Sequence, residues 1–225
     1  DSCNFKLYVY DTKGNDSLRT KNLMLKSEMK KLDLIVGPLY YNNFKHVIRF
    51  AKHNKIPVVS PIKQSNKMLL GNQYVFKAIP SKSTTIKQIC TLVVDSFKSE
   101  NLLALEYPKA KEKSLVELYV KTYNTQILTL EDTTIYSSIK TLKINSNLSD
   151  VVSNLKLNKK NVIFIPASDQ TFITNLFNYL ITTLNKKEYN DYEVTIIGME
   201  EWMRYENIDL EYFQKLNVHY STARF

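Results

Sequence analysis

Apolar and polar positions along this chain switch between two periods. Leu34, Ile35 and Val36 form a short apolar run that stops at Gly37-Pro38, a dipeptide that cannot continue a strand interior. Over residues 41–54, Phe44, Val47, Ile48 and Ala51 recur at helical spacing with Lys45, Arg49 and Lys52 opposite them, which predicts an amphipathic helix. Ile56, Val58 and Val59 form a second apolar run, with Pro57 near its start where a missing donor is tolerated, and it halts at Ser60-Pro61. Two buried strands joined by one helix make a βαβ unit, whose crossover is right-handed in nearly all cases.

The same periods run through the rest of the chain. They predict a strand over residues 5–10, a turn over 11–16 and a helix over 17–31 capped by Ser17, with Leu18, Asn22 or Leu25, and Met29 facing inward. The polar stretch 63–73 reads as a connection. A helix over 84–97, with Ser81 or Ser83 as its cap, is followed by a strand over 102–105, a helix over 109–123 and a strand over 141–144. A short helix over 148–155 precedes the strand 162–165, bounded by Asn161 and Pro166. Ser168 is placed to cap a helix over 169–184, whose Phe172, Ile173, Leu176, Phe177 and Leu180 make a broad apolar face, and a last strand over 193–197 ends at Gly198. Strands alternating with helices imply an α/β fold, with parallel sheets covered by helices on both faces.

Composition narrows the function classes. A chain of 225 residues with 44% hydrophobic content can bury a core without staples, and no run approaches the ~18 apolar residues a membrane span needs. Not transmembrane in this chain is the expectation, and the opening Asp1-Ser2-Cys3-Asn4 is no signal peptide. Two cysteines cannot define a disulfide framework; Cys90, between Ile89 and Leu92, reads as a small buried hydrophobe. The net charge of +9 comes almost wholly from lysine, arginine being limited to Arg19, Arg49, Arg204 and Arg224. Scattered lysines read as a solvated basic surface, and arginine scarcity argues against base-reading nucleic-acid recognition. No nucleic-acid partner is expected.

Asp33, Ile35, Gly37, Pro38, Ala51, Ile56, Pro57, Ser60 and Pro61 write a D-hydrophobic-I-G-P pattern followed by I-P-hydrophobic-hydrophobic-S-P, and residues 74–81 add Tyr-Val-Phe-Lys-Ala-Ile-Pro-Ser. This text resembles the type I periplasmic binding proteins of the leucine/isoleucine/valine-binding kind. The resemblance is motif-specific from Asp33 to Ser81 and architectural afterwards. It implies a two-lobed fold: lobe one at 1–77, incomplete in this chain, a first crossing at 78–81, lobe two at 82–216 and a return crossing at 217–225. It also implies that this chain is the middle of a longer protein, with Cys3 at the edge of lobe one and unable to pair with Cys90.

Ligands of parallel sheets bind beyond the carboxyl ends of the strands, where side chains and helix N-termini converge. That rule selects Tyr40, Tyr41, Ser60, Tyr107, Ser168, Asp169, Glu200 and Trp202 as candidate ligand-binding residues. Each also has a structural role open to it. Tyr40 and Tyr41 can cover a helix start, Ser60 can satisfy backbone beside Pro61, and Asp169 suits a helix entry through the macrodipole. Trp202 beside two carboxylates suits the rim of a site. The functional reading of Ser60 rests on the resemblance, whose members often bind ligand with a hydroxyl residue there.

Two departures put amino-acid specificity in question. Family members of the amino-acid kind carry a small hydroxyl residue soon after Gly-Pro, where this chain has Tyr40, Tyr41, Asn42 and Asn43, and a glycine after the lobe-two tyrosine, where Tyr107 is followed by Pro108. The closing stretches 202–209 and 215–220 are similar to envelope proteins of this fold that accompany peptidoglycan-binding (LysM) modules or activate penicillin-binding proteins. The leading reading is a non-catalytic solute-binding or sensor domain of the periplasm or cell envelope, taking an amino acid, peptide or peptidoglycan fragment between its lobes, with a transporter or cell-wall enzyme as partner. The alternatives are a protein-interaction regulator of wall synthesis with a filled cleft, and an α/β enzyme lacking its catalytic segment. No P-loop, nucleophile elbow or H-E-x-x-H is present, and His46 and His53 stand about 10 Å apart along one helix, too far to share a metal. No cofactor and no metal are expected.

Overall fold

A computed structural model describes residues 4–130, 135–144, 147–206 and 208–222. The chain divides into two compact units, residues 1–81 and 82–225. Cys3 and the final residues of the expected return crossing lie outside the described residues.

The first unit is built on a three-stranded parallel sheet in the order β1-β2-β3: β1 is Ile35–Val36, β2 is Val58–Ser60 and β3 is Val75–Lys77. Ile35 stands beside Val58, and Val58 beside Val75, in register. Helix α2, Tyr41–Asn54, joins β1 to β2 and lays Phe44, Val47 and Ala51 on that face. Alternation along a strand sends neighbouring residues to opposite faces, so Val36 and Phe76 lie on the other side, where both are exposed. Among the described residues, helix cover on that side of the sheet is incomplete. At the end of β1, Gly37 takes φ +90, a backbone conformation that glycine adopts freely, and the following Gly37-Pro38 bond is cis.

Two sequence expectations change here. Residues 5–10 form no ladder, and Phe5, Leu7 and Val9 are exposed; β-propensity needs a partner strand before it yields a sheet. The helix expected over 17–31 is α1, Ser17–Leu23, followed by a separate 3₁₀ turn, Ser27–Lys31. Its cap is Asp16, whose carboxylate accepts from the Arg19 N–H at 2.9 Å, so Ser17 is the first helical residue. Leu18 and Leu25 point to solvent, and Met29 enters the core through the 3₁₀ turn.

The second unit carries a five-stranded parallel sheet in the order β5-β4-β6-β7-β8. Its strands are β4 Asn101–Glu106, β5 Lys140–Lys143, β6 Asn161–Phe164, β7 Val194–Gly198 and β8 Val218–Tyr220. The three central strands are buried almost end to end, as a sheet covered on both sides requires. Leu103, Leu105, Ile163 and Ile196 face α6, Gln170–Leu184, and meet Ile173, Leu176 and Phe177. Leu102, Ala104, Val162 and Phe164 face the opposite layer, where α3, Lys82–Ser96, supplies Ile86, Cys90 and Val93, and α4, Ala110–Ile127, supplies Val116, Tyr119 and Tyr123. Cys90 is fully buried; its Sγ donates to the Tyr119 carbonyl at 3.4 Å, and burial pushes the thiol up to about 12. Helices α5, Ser149–Val152, and α7, Leu210–Lys215, complete the α6 side. Val218–Tyr220, within the expected return crossing, is an edge strand of this sheet, because its backbone pairs with β7 through Ile196 and Val218.

At the amino ends of the central strands, Asn161 is wholly buried and spends its amide on backbone. Its Nδ2 donates to the carbonyls of Lys156, Lys159 and Glu193, while Oδ1 accepts from the Lys156 N–H and from Asn101 Nδ2 at 2.8 Å. The carboxyl ends carry the residues of interest.

Candidate functional site

Strand order decides where a site can form in the second unit. From β4 the chain turns into α4 on one face of the sheet, and from the adjacent β6 it turns into α6 on the other. Adjacent strands whose following helices lie on opposite faces leave a crevice between their carboxyl ends. Residues 107–109 and 166–169 border that crevice.

The two loops are tied across it. Lys109 Nζ lies 2.7 Å from Asp169 Oδ2, and Asp169 Oδ1 accepts from the Phe172 N–H at 3.0 Å, which makes Asp169 the cap of α6. The Lys109 ammonium, followed by the Phe172 N–H, holds the Asp169 carboxyl below the usual carboxylate range, and the Asp169 bond in turn raises Lys109. Ser168 donates both its N–H and its hydroxyl to Glu112 Oε1, at 2.9 and 3.1 Å. Tyr107 stacks on Phe172 with ring centroids 4.3 Å apart, and Lys109 Nζ also lies 5.5 Å from the Tyr107 ring. From the next strand, Tyr205 donates to the Ser168 carbonyl at 2.9 Å; burial, then the Glu201 charge, raises its phenol. Lys82 pairs with Glu201 at 2.7 Å.

A pocket of about 360 Å³ opens beside this group, lined by Tyr107, Phe172, Ile144 and Leu148 with Asp169 and Asn175 among its polar members. Apolar walls with a few convergent polar groups are the usual composition of a small-molecule site. A larger depression of about 510 Å³ follows the flank of α4, where Val116, Val120 and Leu128 line it with Thr141 of the β5 edge. It reaches the end of β4 at Glu106 but takes no residue of the 166–169 loop, whereas the smaller pocket is lined from both loops, by Tyr107 and Asp169, and is the better-placed candidate.

The structure sorts the expected residues. Tyr107, Ser168 and Asp169 come together at the crevice. The cap of α6 is Asp169 where Ser168 was expected, since Ser168 turns its hydroxyl to Glu112. Glu200 lies in the 3₁₀ turn Glu200–Arg204 after β7. Trp202, expected at a rim, is instead 1% exposed: its indole N–H donates to the Ala167 carbonyl at 2.8 Å and its ring packs edge-on to Phe177. An indole with its one donor satisfied inside the core is a scaffold for the 166–168 loop. In the first unit, Tyr40 and Tyr41 are about half exposed at the start of α2, with Lys45 Nζ 4.7 Å from the Tyr41 ring. Ser60 is fully buried and donates to the Ile62 carbonyl at 3.2 Å. Asn43, one of the positions after Gly-Pro, is also fully buried; it donates to the Gly14 carbonyl at 2.7 Å.

Sequence reasoning passed over Glu112, Lys109 and Tyr205. Glu112 reads as an ordinary acidic residue of a first helical turn, and Lys109 belongs to an alternation with Lys111 and Lys113 that reads as solvated. Only the packing around the first turn of α4 shows that Glu112 is buried. Among the described residues no group of three His, Cys, Asp or Glu side chains is arranged to hold a metal, and no helix is long and apolar enough to cross a membrane.

No protein-family description and no curated protein sequence matches this chain. Solved structures do. A Rhodospirillum rubrum protein named for branched-chain amino acid ABC transport matches at 9% identity and TM-score 0.59, over 95% of this chain and 57% of its own length. Full-length LpoA from Haemophilus influenzae matches at 13% identity and TM-score 0.54, over 92% of this chain and 36% of its own. An ABC-type branched-chain amino acid transporter from Rhodopseudomonas palustris matches at 13% identity and TM-score 0.50, over 82% of this chain and 48% of its own. The chain thus spans between about one third and three fifths of these proteins.

Proposed function

The chain has a type I periplasmic-binding-protein-like α/β fold, and we propose that it is a non-catalytic solute-binding or sensor domain of the cell envelope. The carrying observation is the pocket beside the Tyr107–Phe172 stack at the carboxyl end of the second sheet, with the ionised Asp169 on its wall. A flat aromatic floor and a fixed carboxylate suit a small organic solute with an apolar body and hydrogen-bond donors. Amino acids, short peptides and peptidoglycan fragments are the classes to try. The branched-chain amino acid proteins and LpoA support this reading through shared fold.

A regulator of wall synthesis acting through protein contacts is the second reading. The observation that favours it is the pair of bonds across the crevice, Lys109 to Asp169 and Ser168 to Glu112, which occupy space a ligand would need. A thermal-shift screen over amino acids, sugars and muropeptides separates the two. A solute that binds only the folded state raises the melting temperature with concentration. The solute-binding reading expects at least one class to do so, and no shift from any class would transfer the proposal to the regulator.

A further inference from the structure

Glu112 is a carboxylate that the solute-binding proposal leaves without a role. It is 3% exposed, in the first turn of α4, and Ser168 loads both of its bonds onto Oε1. Oε2 is buried and has no hydrogen-bond partner. Nearby carboxylates are differently placed: Asp169 is paired with Lys109 and Glu201 with Lys82, while Glu112 forms no ion pair among the described residues. A buried carboxylate oxygen without a donor is costly; the Lys109 ammonium, bonded to Asp169 but near enough to feel the Glu112 charge, and the helix N-terminus offset only part of that cost. Buried polar groups of native proteins almost always have a protein, water or ion partner. Ser168, whose N–H and hydroxyl both lie on Glu112, is itself exposed and borders the crevice.

Resting on the solute-binding reading, we infer that Glu112 is a specificity-determining residue, whose free oxygen accepts a cationic hydrogen-bond donor and makes the second unit select organic ammonium compounds over neutral or anionic ones. The charges around the crevice agree with that sign. Lys109 and Lys82 are bonded to Asp169 and Glu201, which leaves Glu112 only the longer-range attraction of Lys109. Tyr205, close enough for the Glu112 charge to raise its phenol, supplies a neutral hydroxyl on the same side. An ammonium brings the missing charge and up to three donors; an alcohol brings one donor and no charge; a carboxylate brings repulsion.

The test uses the whole 225-residue chain with ethylammonium, ethanol and acetate as probes, read by amide NMR at Ser168 and Tyr107. Ethylammonium is expected to shift the Ser168 amide saturably, while ethanol and acetate leave it unmoved. Glu112→Gln keeps the shape and can hold Ser168 through its carbonyl oxygen, but presents an amide donor where the free oxygen stood. That variant should weaken the ethylammonium response by about tenfold or more, the loss of one charge-assisted hydrogen bond. An equal response in Glu112→Gln, or no saturable response in the native chain, overturns the inference. Should the variant fail to fold, the three-probe comparison on the native chain decides alone. Ethanol or acetate moving Tyr107 while ethylammonium leaves Ser168 unmoved would overturn the role of Glu112 and leave solute binding standing.

Discussion

Gly198 closes β7 where the Trp202 ring lies over the backbone; a Cβ there would stand 2.1 Å from the ring. Gly198→Ala must displace the indole from the Ala167 carbonyl, and overpacking of this kind costs about 1–3 kcal/mol. Urea unfolding followed by Trp202 fluorescence should show an earlier midpoint and a changed folded-state spectrum; an unchanged midpoint would mean that the ring has room. Asn161 makes the opposite case, a buried polar side chain that ties neighbouring backbone together. Asn161→Leu leaves the Lys156 N–H without this partner and the Asn101 amide with the Asn154 carbonyl alone, while the Glu193 carbonyl keeps the Asn161 N–H, and at about 1–3 kcal/mol for a polar group left unpaired it should also bring the midpoint earlier. Neither role was legible in the sequence. Trp202 stood beside carboxylates and read as a rim residue, and Asn161 read only as punctuation before a strand, because burial of a polar group is decided by distant elements.

Helix α6 begins where Asp169 caps it and Lys109 reaches it from the β4 loop. Removing the cap with Asp169→Ala should cost about 1 kcal/mol. The acid limb follows from the depressed Asp169 pKa. A carboxyl whose folded pKa lies below its unfolded value adds stability that is complete above the unfolded value, about 3.9, and disappears as pH falls through the folded one. Native chain and Asp169→Asn should therefore differ most at neutral pH and converge as pH falls below about 4, when chemical denaturation is repeated down the series; a constant difference would show that the Lys109 bond does not set the pKa. Among elements, those with internal evidence were readable. The helix 41–54 lays Phe44, Val47 and Ala51 on one stripe, with Ile48 partly buried beside them, and its observed bounds are those the spacing predicts. The helix over 17–31 was not, since Leu18 and Leu25 serve no core, and residues 5–10 carry strand propensity with no neighbour to pair with.

The two units differ in how their sheets are covered, and stability should follow. The second sheet is buried between α6 on one face and α3 with α4 on the other, whereas the first leaves Val36 and Phe76 exposed. Local opening is cheapest where few apolar contacts are lost, so hydrogen exchange should be slowest in β4 and β6 and much faster in β1 and β3; equal protection would contradict the burial argument. The parallel α/β plan and the carboxyl-end location of Tyr107, Ser168 and Asp169 were legible, because strand ends and helix starts are written in the local sequence. Bonds between loops, such as Ser168 to Glu112, join positions far apart in the chain and leave no local mark. The central claim is that this carboxyl end binds a small solute. Its most direct test is amide NMR mapping with whichever solute raises the melting temperature most. The account predicts shifts at Tyr107, Ser168, Asp169 and Tyr205 with Asn101 and Asn161 unmoved at the other end of the sheet; shifts confined to Val116 and Leu128 along α4, or to the Asn101 end, would contradict it.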